Sequence, residues 1–293
     1  MNKKQKLIKK IDKTIGIKKL KGQIRSINAT LVFLGFISVY SIYLNHSGWL
    51  LSYGLIVAAV SLITLAMFFS YRIKLQMRIN NMKLDYRKYI VKPFAEVYFE
   101  NGEFSSSGSL TEREIVSTFM FSDGNTFSYS SCNELKGVYK NVKFENSDIH
   151  EECYSNKIQV NGRLFSFDLP TRNINPVVFT TSTAPIIEYN KSNVHLIKTS
   201  NEELNRMFRI YAFDEKEADD ILTDSVVHKL KQIVALQLGK IIKICFVSDK
   251  VYVFFTTEKR TYEEDLTKKH KTEEELDKIK EKFNVVGKLI DIL

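Results

Sequence analysis

His150 and Cys153 are the two residues that come nearest to forming a reactive or metal-binding centre in this chain. They lie three residues apart, with Glu151 and Glu152 between them. An imidazole beside a thiol can activate that thiol as a nucleophile, and both groups bind zinc. A structural zinc site needs four ligands, however, and the sequence has no second pair of cysteines or histidines at a suitable spacing. We therefore interpret this segment as a strand end or exposed loop with a partly buried thiol.

The densest run of acidic side chains, Asp214–Asp220, is a second candidate for a cation-binding or acid–base site. Asp and Glu also concentrate in the first turn of helices, because the free amide groups and the helix dipole favour negative charge there. Asp214 and Glu217 have the spacing of an N-cap signature. We interpret the run as the solvated, capped start of a helix.

The sequence contains none of the short motifs that mark common cofactor and catalytic sites. It has no G-x-x-x-x-G-K-[ST], G-x-G-x-x-G, H-E-x-x-H, C-x-x-C, EF-hand or G-x-S-x-G pattern. Its three cysteines, Cys132, Cys153 and Cys245, are odd in number and widely spaced, which favours reduced thiols over a disulfide framework. We therefore predict no catalytic residue, no bound metal and no cofactor.

A stretch without charged side chains, Ser26–Tyr71, indicates that the chain enters a membrane. It contains no Asp, Glu, Lys or Arg and is flanked on both sides by arginine. A spanning helix needs about 20 apolar residues, so this stretch is long enough for two. We predict spans at about Ile27–Leu44 and Trp49–Ser70, joined by a tight turn at residues 45–48.

The predicted spans carry no ionisable side chain, which favours an anchor over a transport pathway. Hydroxyl groups in the spans, such as those of Ser38 and Ser61, can bond to carbonyls of their own helix. A pore built by oligomerisation is the alternative, because Gly35, Gly48 and Gly54 permit close helix contact.

The flanks of the spans predict that both chain termini are cytoplasmic. Residues 1–25 carry ten Lys or Arg and one acidic residue, and residues 72–92 carry seven and one. Lys and Arg close to a span remain on the cytoplasmic side. A cleaved secretory signal peptide is the competing interpretation, and it fits poorly because the basic region is long, has no small-x-small cleavage site and is followed by a second span.

The net charge of +9 is concentrated beside the spans. Residues 1–92 hold 17 basic and 2 acidic residues, net +15, whereas residues 93–293 hold 26 and 32, net −6. Anionic lipid headgroups attract such flanks, so we expect the bilayer to be a partner there. Residues 3–24 are either an interfacial amphipathic helix or an ordinary basic flank. A nucleic-acid surface needs clustered Lys and Arg on a folded face, so we predict that nucleic acid is not a partner.

Beyond the spans, the sequence predicts a helical neck followed by a sheet. No break signal occurs between the second span and Pro93, so we expect the helix to continue as a stiff neck. Asn101-Gly102 and Ser105–Ser109 are interpreted as loops. From residue 115 to 196, short aromatic and β-branched runs indicate mostly antiparallel strands. The strand candidates are Val138–Phe144, Pro176–Thr180 and a hairpin of Lys157–Val160 with Arg163–Phe167, turned at Asn161-Gly162.

Helical patterns return in the C-terminal third. Ser200 and Glu203 have the spacing of a capping box, and a helix at about Ser225–Leu238 is expected to end before Gly239 as its C-cap. A hairpin, Ile241–Val247 with Val251–Thr256, precedes the last helix, Thr272–Ile290. That helix has an apolar stripe formed by Leu276, Ile279, Phe283, Val286 and Ile290. Such a stripe must be buried, and we expect it to pack on the domain's own sheet, with an association surface as the alternative.

The segment from Phe208 to Thr223 has a recognisable pattern. Phe208-Arg209-Ile210-Tyr211 precedes Asp214, Glu217-Ala218 and Ile221-Leu222-Thr223, and a helix and a hairpin follow. This order resembles the bacterial family known as domain of unknown function 3137. The resemblance implies a bacterial membrane protein with two N-terminal spans and a cytoplasmic domain of unassigned activity.

These patterns predict an α+β protein: an N-terminal two-helix transmembrane hairpin, then a cytoplasmic domain of mostly antiparallel strands with helices concentrated in the C-terminal third. The expected parts are a basic cytoplasmic segment (1–26), two transmembrane helices (27–70), a helical neck (71–100) and the α+β domain (101–293). We expect a multi-pass protein of the cell (inner) membrane. Its domain is either a non-catalytic interaction or scaffold module, which binds an unknown protein partner or itself, or an enzyme whose site is assembled from dispersed polar residues. The missing motifs favour the first.

Overall fold

A computed structural model describes residues 17–46, 53–107, 110–124, 126–154, 158–169, 175–189, 193–258, 261–262 and 272–293. Residues 1–16 and the second half of the predicted outer turn, residues 47–48, lie outside this part of the chain. The described residues divide into two compact units, a pair of helices up to Tyr89 and a sheet domain from Ile90 onward.

The first unit is a pair of antiparallel helices, α1 (Ile17–His46) and α2 (Tyr53–Tyr86). Both are long and apolar enough to cross a membrane. Their contact surface is made of small side chains, since Ser38, Ala58 and Ser61 are each about 95% buried. Small residues let two helix backbones approach closely. The large exposed side chains are apolar, and they include Val32, Phe33, Phe36, Val39 and Ile63.

One hydrogen bond joins the two helices directly. The hydroxyl oxygens of Ser38 and Ser61 lie 2.7 Å apart. Ser38 also lies 2.9 Å from the carbonyl of Leu34, and Ser61 lies 2.9 Å from that of Ala58. Two hydroxyl hydrogens serve three contacts, so one serine donates to the other and the second donates to its own helix. The predicted bonds to helix carbonyls are thus confirmed, with the interhelical bond in addition.

The second unit begins at Ile90, within a π-helical turn, Arg87–Val91, and helix α3, Lys92–Tyr98, follows. The described strands are β1 (Glu100–Ser107), β2 (Phe127–Tyr139), β3 (Val142–Cys153), β4 (Ile158–Asp168), β5 (Val177–Thr181), β6 (His195–Ile197), β7 (Phe208–Ala212), β8 (Ile242–Val247) and β9 (Lys250–Thr256). They form a single sheet in the order β1-β2-β3-β4-β9-β8-β5-β7-β6, and neighbouring strands are antiparallel. The helices are α4 (Glu112–Val116), α5 (Glu202–Met207), α6 (Glu215–Ile221), α7 (Asp224–Ala235) and α8 (Thr272–Ile292). The predicted α+β fold is confirmed.

The sheet has two covered faces, and we name them by what covers them. On the helix face, Phe144 of β3 contacts Phe99, which in turn contacts Phe283 of α8. On the segment face, side chains such as Ile149, Leu164 and Phe254 pack against α4 and against chain without regular structure. The main part of that chain, residues 117–124, is called the cover segment below.

Asn161 and Gly162 lie inside a continuous strand, so the predicted hairpin turn at this position is wrong. Both belong to β4, where they pair with His150 and Ile149 of β3. Glycine is needed here for packing, because a Cβ atom at Gly162 would lie 2.2 Å from the Phe254 ring. That separation is far below van der Waals contact, so a larger residue forces the aromatic side chain to move.

The predicted strand Val138–Phe144 is instead the tip of a hairpin. β2 ends at Tyr139, and β3 begins at Val142. The two residues between them, Lys140 and Asn141, have φ angles of 50° and 65°. Two successive positive φ angles are what a type I′ turn requires. This turn reverses the chain direction within a run of residues whose apolar and polar side chains alternate as in a strand.

Asn101-Gly102 and the first part of Ser105–Ser109, both predicted as loops, belong to β1, which continues to Ser107. Residues 108–109 lie outside the described part of the chain. The register of β1 shifts between Glu100 and Glu103, which marks a β-bulge. A Cβ atom at Gly102 would lie 2.1 Å from the carbonyl oxygen of Ala95. The turn-forming residues therefore provide a bulge and a close backbone approach in an edge strand.

Helix α7 ends at Ala235, earlier than predicted, and the left-handed residue after it is Gln237, with a φ angle of 50°. Gly239 is not the C-cap. A Cβ atom there would lie 2.2 Å from the carbonyl oxygen of Thr256, so this glycine allows the chain to pass close to β9.

Burial of the C-terminal stripe within the domain is confirmed. Ile279, Phe283 and Val286 are each at least 99% buried. The Phe283 ring lies 5.5 Å from that of Phe94 and 5.6 Å from that of Tyr98, measured between centroids. Aromatic pairs at such distances add to the stabilisation from burial alone.

We predict that Phe283→Ala lowers the free energy of unfolding by about 3–5 kcal/mol, because it leaves a cavity among aromatic rings. Thermal and denaturant unfolding of the full-length protein in detergent would measure this loss. Lys280→Ala, on the exposed side of the same helix, is the matched control and should change stability little. A Phe283→Ala protein as stable as wild type would contradict the packing described here.

Candidate functional site

The histidine and cysteine that looked closest to a reactive pair do not face each other. His150 and Cys153 lie on β3 at an odd spacing, so their side chains project to opposite faces of the sheet. Cys153 is buried, and none of the three cysteines forms a disulfide. Among the described residues, no group of three or more His, Cys, Asp or Glu side chains is placed to hold a metal ion.

His150 instead lies beside residues whose spacing in the sequence does not indicate a contact with it. Its Nδ1 lies 2.9 Å from Oδ1 of Asn161 on the neighbouring strand. Both side chains line a cavity of about 50 Å³, which Cys132 of β2 also lines. The sequence does not reveal this proximity, because Asn161-Gly162 has the pattern of a turn. Strand pairing alone brings Cys132 near His150.

The acidic run Asp214–Asp220 forms the start of α6, as predicted. The Oδ1 atom of Asp219 accepts hydrogen bonds from the backbone amide and the hydroxyl of Ser200, at 3.0 and 3.1 Å. Ser200 therefore does not cap α5, and the predicted capping box is wrong. The N-cap of α5 is Asn201, whose side chain accepts from the amide of Leu204 at 3.1 Å.

Two buried charged side chains are paired on the helix face. Arg163 and Asp148 are each 97% buried, and Nη1 of Arg163 lies 3.5 Å from Oδ1 of Asp148. Asp148 also accepts from the Nδ2 of Asn133 and the amide of Thr261, both at 2.8 Å. Arg163 donates to the hydroxyl of Tyr262 at 3.0 Å. These bonds fix residues 261–262 against the sheet, so the pair has a structural role.

On the segment face, side chains of the sheet hold the cover segment by its carbonyl groups. The Nζ atom of Lys243 donates to the carbonyl of Met120 at 2.8 Å, and the hydroxyl of Tyr129 donates to that of Ser122 at 2.9 Å. Tyr189 donates to the carbonyl of Phe119. Buried carbonyls need such partners, because the cover segment has no regular backbone pairing of its own.

Burial shifts the pKa values of these hydrogen-bond donors. Desolvation lowers the pKa of Lys243, and the charge of Glu151 opposes that shift. Desolvation also raises the pKa of Tyr129 and of Tyr189 well above the usual range for tyrosine. Both hydroxyls therefore remain protonated and able to donate at physiological pH.

An open cleft of about 760 Å³ lies beside the cover segment. Its apolar lining residues are Val116, Phe119, Phe127 and Tyr189, and its polar ones are Glu112, Arg113, Ser117, Ser122, Asp123 and Gly124. The hydroxyl of Ser117 donates to the carbonyl of Glu114 at 2.7 Å, and that of Ser122 accepts from the amide of Glu188 at 3.1 Å. Both hydroxyls are hydrogen bonded to the backbone, and the half-buried aromatic lining suits the cleft to binding.

A groove of about 340 Å³ is lined by Glu145, Lys136 and other charged side chains. Lys136 bridges two carboxylates, with Nζ 2.9 Å from Glu134 and 3.4 Å from Glu145. Burial, and then the hydrogen bond with Glu134, raise the pKa of Glu145, whereas Lys136 acts in the opposite direction. Two neighbouring carboxylates that hold a proton between them are the arrangement used in acid–base catalysis.

The raised pKa of Glu145 predicts a pH-dependent stability. The folded state holds this proton more tightly than the unfolded state, so protonation stabilises the fold at low pH and the contribution is lost as pH rises through the folded pKa. Glu145→Gln cannot lose a proton, so its stability relative to wild type should increase as the pH rises above the ordinary pKa of a glutamate. Unfolding of the full-length protein in detergent at a series of pH values measures the difference.

Glu96→Gln, an exposed carboxylate on α3, is the control for the loss of one acidic side chain. A stability difference between Glu145→Gln and wild type that stays constant with pH would show that the two carboxylates do not share a proton.

Comparison with known proteins gives a family match in the C-terminal part of the chain. Residues 159–293 match the family model described as "Protein of unknown function (DUF3137)". No curated protein and no solved structure matches the chain. The match covers Phe208–Thr223, on which the resemblance rested, and it extends from β4 through α8. Residues 159–293 are therefore similar to the domain of unknown function 3137, as the sequence pattern indicated.

Proposed function

We propose that this protein is a membrane-anchored interaction module of a bacterial cell. In this proposal, α1 and α2 cross the cell (inner) membrane with both chain termini in the cytoplasm. The sheet domain then binds a protein partner, or a second copy of itself, through the cleft beside the cover segment.

The helical pair supports the anchoring role. Ile27 of α1 packs with Leu75 and Ile79 of α2, which brings the basic flanks of both helices to one level. The basic residues near this level, Arg25, Arg72, Lys74 and Arg78, are all exposed. Anionic lipid headgroups attract such a ring of charge, and positive flanks stay on the cytoplasmic side. The small, neutral contact surface around Ser38 and Ser61 favours an anchor over an ion pathway.

The cleft is the single observation that carries the binding role. A half-buried aromatic lining within a charged rim is the usual composition of a surface that holds one or two side chains of a partner. Arg113, Glu112 and Asp123 at the rim offer both signs of charge for orienting that partner. The buried charged groups nearby, including Lys243, are engaged in holding the backbone.

Photo-crosslinking in native membranes tests this role. A p-benzoylphenylalanine residue at position 127, within the cleft, should give a discrete protein adduct, and the same residue at position 280 on α8 should not. Arg113→Glu reverses a rim charge and should weaken the adduct at least several-fold. The matched Lys280→Glu change should leave it unaltered.

Equal adducts from positions 127 and 280 would count against the cleft as a binding site. An adduct insensitive to Arg113→Glu would show that the rim charge does not orient the partner. Identification of the crosslinked chain by mass spectrometry separates a second copy from a different protein.

A membrane-anchored enzyme is the second candidate, and the bridged pair of Glu134 and Glu145 favours it. Glu145 of this pair lines a groove, and its raised pKa favours the protonated form that a general acid needs. Hydrolysis of a chromogenic glycoside, ester or phosphate by the wild type but not by Glu145→Gln would support this activity. Equal inactivity of both proteins would oppose it.

A further inference from the structure

Two cationic side chains flank one threonine on the segment face of the sheet. Thr180 of β5 pairs directly with Lys243 of β8 on one side and with Arg209 of β7 on the other. Thr180 lies two residues after Val178, which belongs to the segment-face core, and directly paired residues project to the same face. Their Cβ atoms are about 5 Å apart. The threonine side chain therefore lies between a lysine and an arginine.

The hydroxyl group of Thr180 is buried without a partner. The residue is fully buried, and its Oγ1 atom has no hydrogen-bond partner in the part of the chain that the structure describes. Buried hydroxyl groups normally form at least one hydrogen bond, and an exception indicates a bound ion or water molecule. Threonine is shorter than lysine or arginine, so a small ligand at this hydroxyl lies beside both cationic side chains.

The two cations have donors to spare. Neither Lys243 nor Arg209 forms an ion pair with another described residue. Lys243 donates to the carbonyl of Met120 at 2.8 Å, and Arg209 donates to that of Ala184. An ammonium group has three N–H donors and a guanidinium group has five, so both can bind a further acceptor.

The charge around Thr180 favours an anion over water as that acceptor. Lys243 is 93% buried and Arg209 is half-buried, while Glu151 is the carboxylate whose charge acts on Lys243. A buried cation is costly unless an opposite charge or hydrogen bonds compensate for the lost water. Water would satisfy the hydroxyl of Thr180 and leave the excess positive charge, whereas an anion compensates for both.

The covering of this part of the sheet limits the size of the ligand. Met120 and Phe121 of the cover segment are fully buried, and the ring centroid of Phe121 lies 4.7 Å from the Nζ atom of Lys243. Protein interiors pack with few voids larger than a water molecule. The ligand therefore has the size of a single ion.

We propose that Thr180, Lys243 and Arg209 bind a small inorganic anion, such as chloride, beneath the cover segment. The hydroxyl of Thr180 donates a hydrogen bond to the anion, and the two cations supply further N–H donors and the opposite charge. The anion compensates for the buried ammonium that holds the carbonyl of Met120. The site is separate from the cleft and does not depend on the binding role proposed for it.

Unfolding of the full-length protein in detergent tests this site. Sodium chloride is compared with sodium gluconate at constant ionic strength, because gluconate is too large to enter a site for a single ion. A ligand that binds only the folded state raises the free energy of unfolding as its concentration exceeds its Kd. The denaturation midpoint of the wild-type protein should therefore rise as chloride replaces gluconate.

Thr180→Val keeps the shape of the side chain and removes the hydroxyl. It should weaken the affinity for chloride, read from the chloride dependence of stability, by about tenfold, as expected for one hydrogen bond to a charged group. Lys243→Met should abolish the dependence. Ser147→Ala is the control, because Ser147 is a fully buried residue whose hydroxyl also has no partner among the described residues, but it pairs with the apolar Leu164. This change should leave the chloride dependence intact.

Identical unfolding of the wild-type protein in chloride and in gluconate overturns the proposal, and this comparison does not require any variant to fold. A chloride dependence that Thr180→Val retains in full also overturns it, because the anion then binds elsewhere. So does an equal loss of the dependence in Ser147→Ala.

Discussion

The ammonium of Lys243 lies inside the core of the segment face, where it donates to the carbonyl of Met120 at 2.8 Å. It also lies 4.7 Å from the ring centroid of Phe121 and 5.5 Å from that of Phe254. A buried cation is costly unless hydrogen bonds and aromatic faces replace its water. The same bond satisfies a buried carbonyl in a segment that has no regular structure. This one hydrogen bond therefore offsets the cost of burying both the ammonium and the carbonyl. The shape of the cleft beside the cover segment depends on this bond.

The two faces of the sheet use buried polar groups in different ways. On the segment face, Lys243 and Tyr129 hold a non-helical covering, and the cleft forms at its border. On the helix face, Arg163 and Asp148 hold residues 261–262, and the apolar stripe of α8 closes the core. The cavity that contains Cys132 opens on this second face. The proposed binding role thus belongs to the segment face, opposite to this cavity.

The sequence was sufficient for features that depend on local periodicity. The apolar stripe around Phe283, the charge-free helices and the α+β order could all be predicted, because each repeats at the spacing of its own secondary structure. The position of Asn161-Gly162 within a strand could not be predicted. Gly162 is required by the close approach of the Phe254 ring, which belongs to a strand that is distant in sequence. His150 and Cys153 are close in sequence, yet they project to opposite faces of β3. Strand register, which no single sequence displays, places Cys132 rather than Cys153 at the cavity that His150 lines.

Hydrogen exchange of the full-length Lys243→Met protein tests most directly whether sheet side chains build the cleft. Methionine keeps the apolar stem and removes the donor, and loss of a buried charge can offset the lost bond in total stability. Exchange is therefore measured segment by segment. We predict faster exchange across residues 117–124, with protection of β4, β8 and β9 retained. Unchanged protection of the cover segment would contradict the account, because its position would then not depend on Lys243.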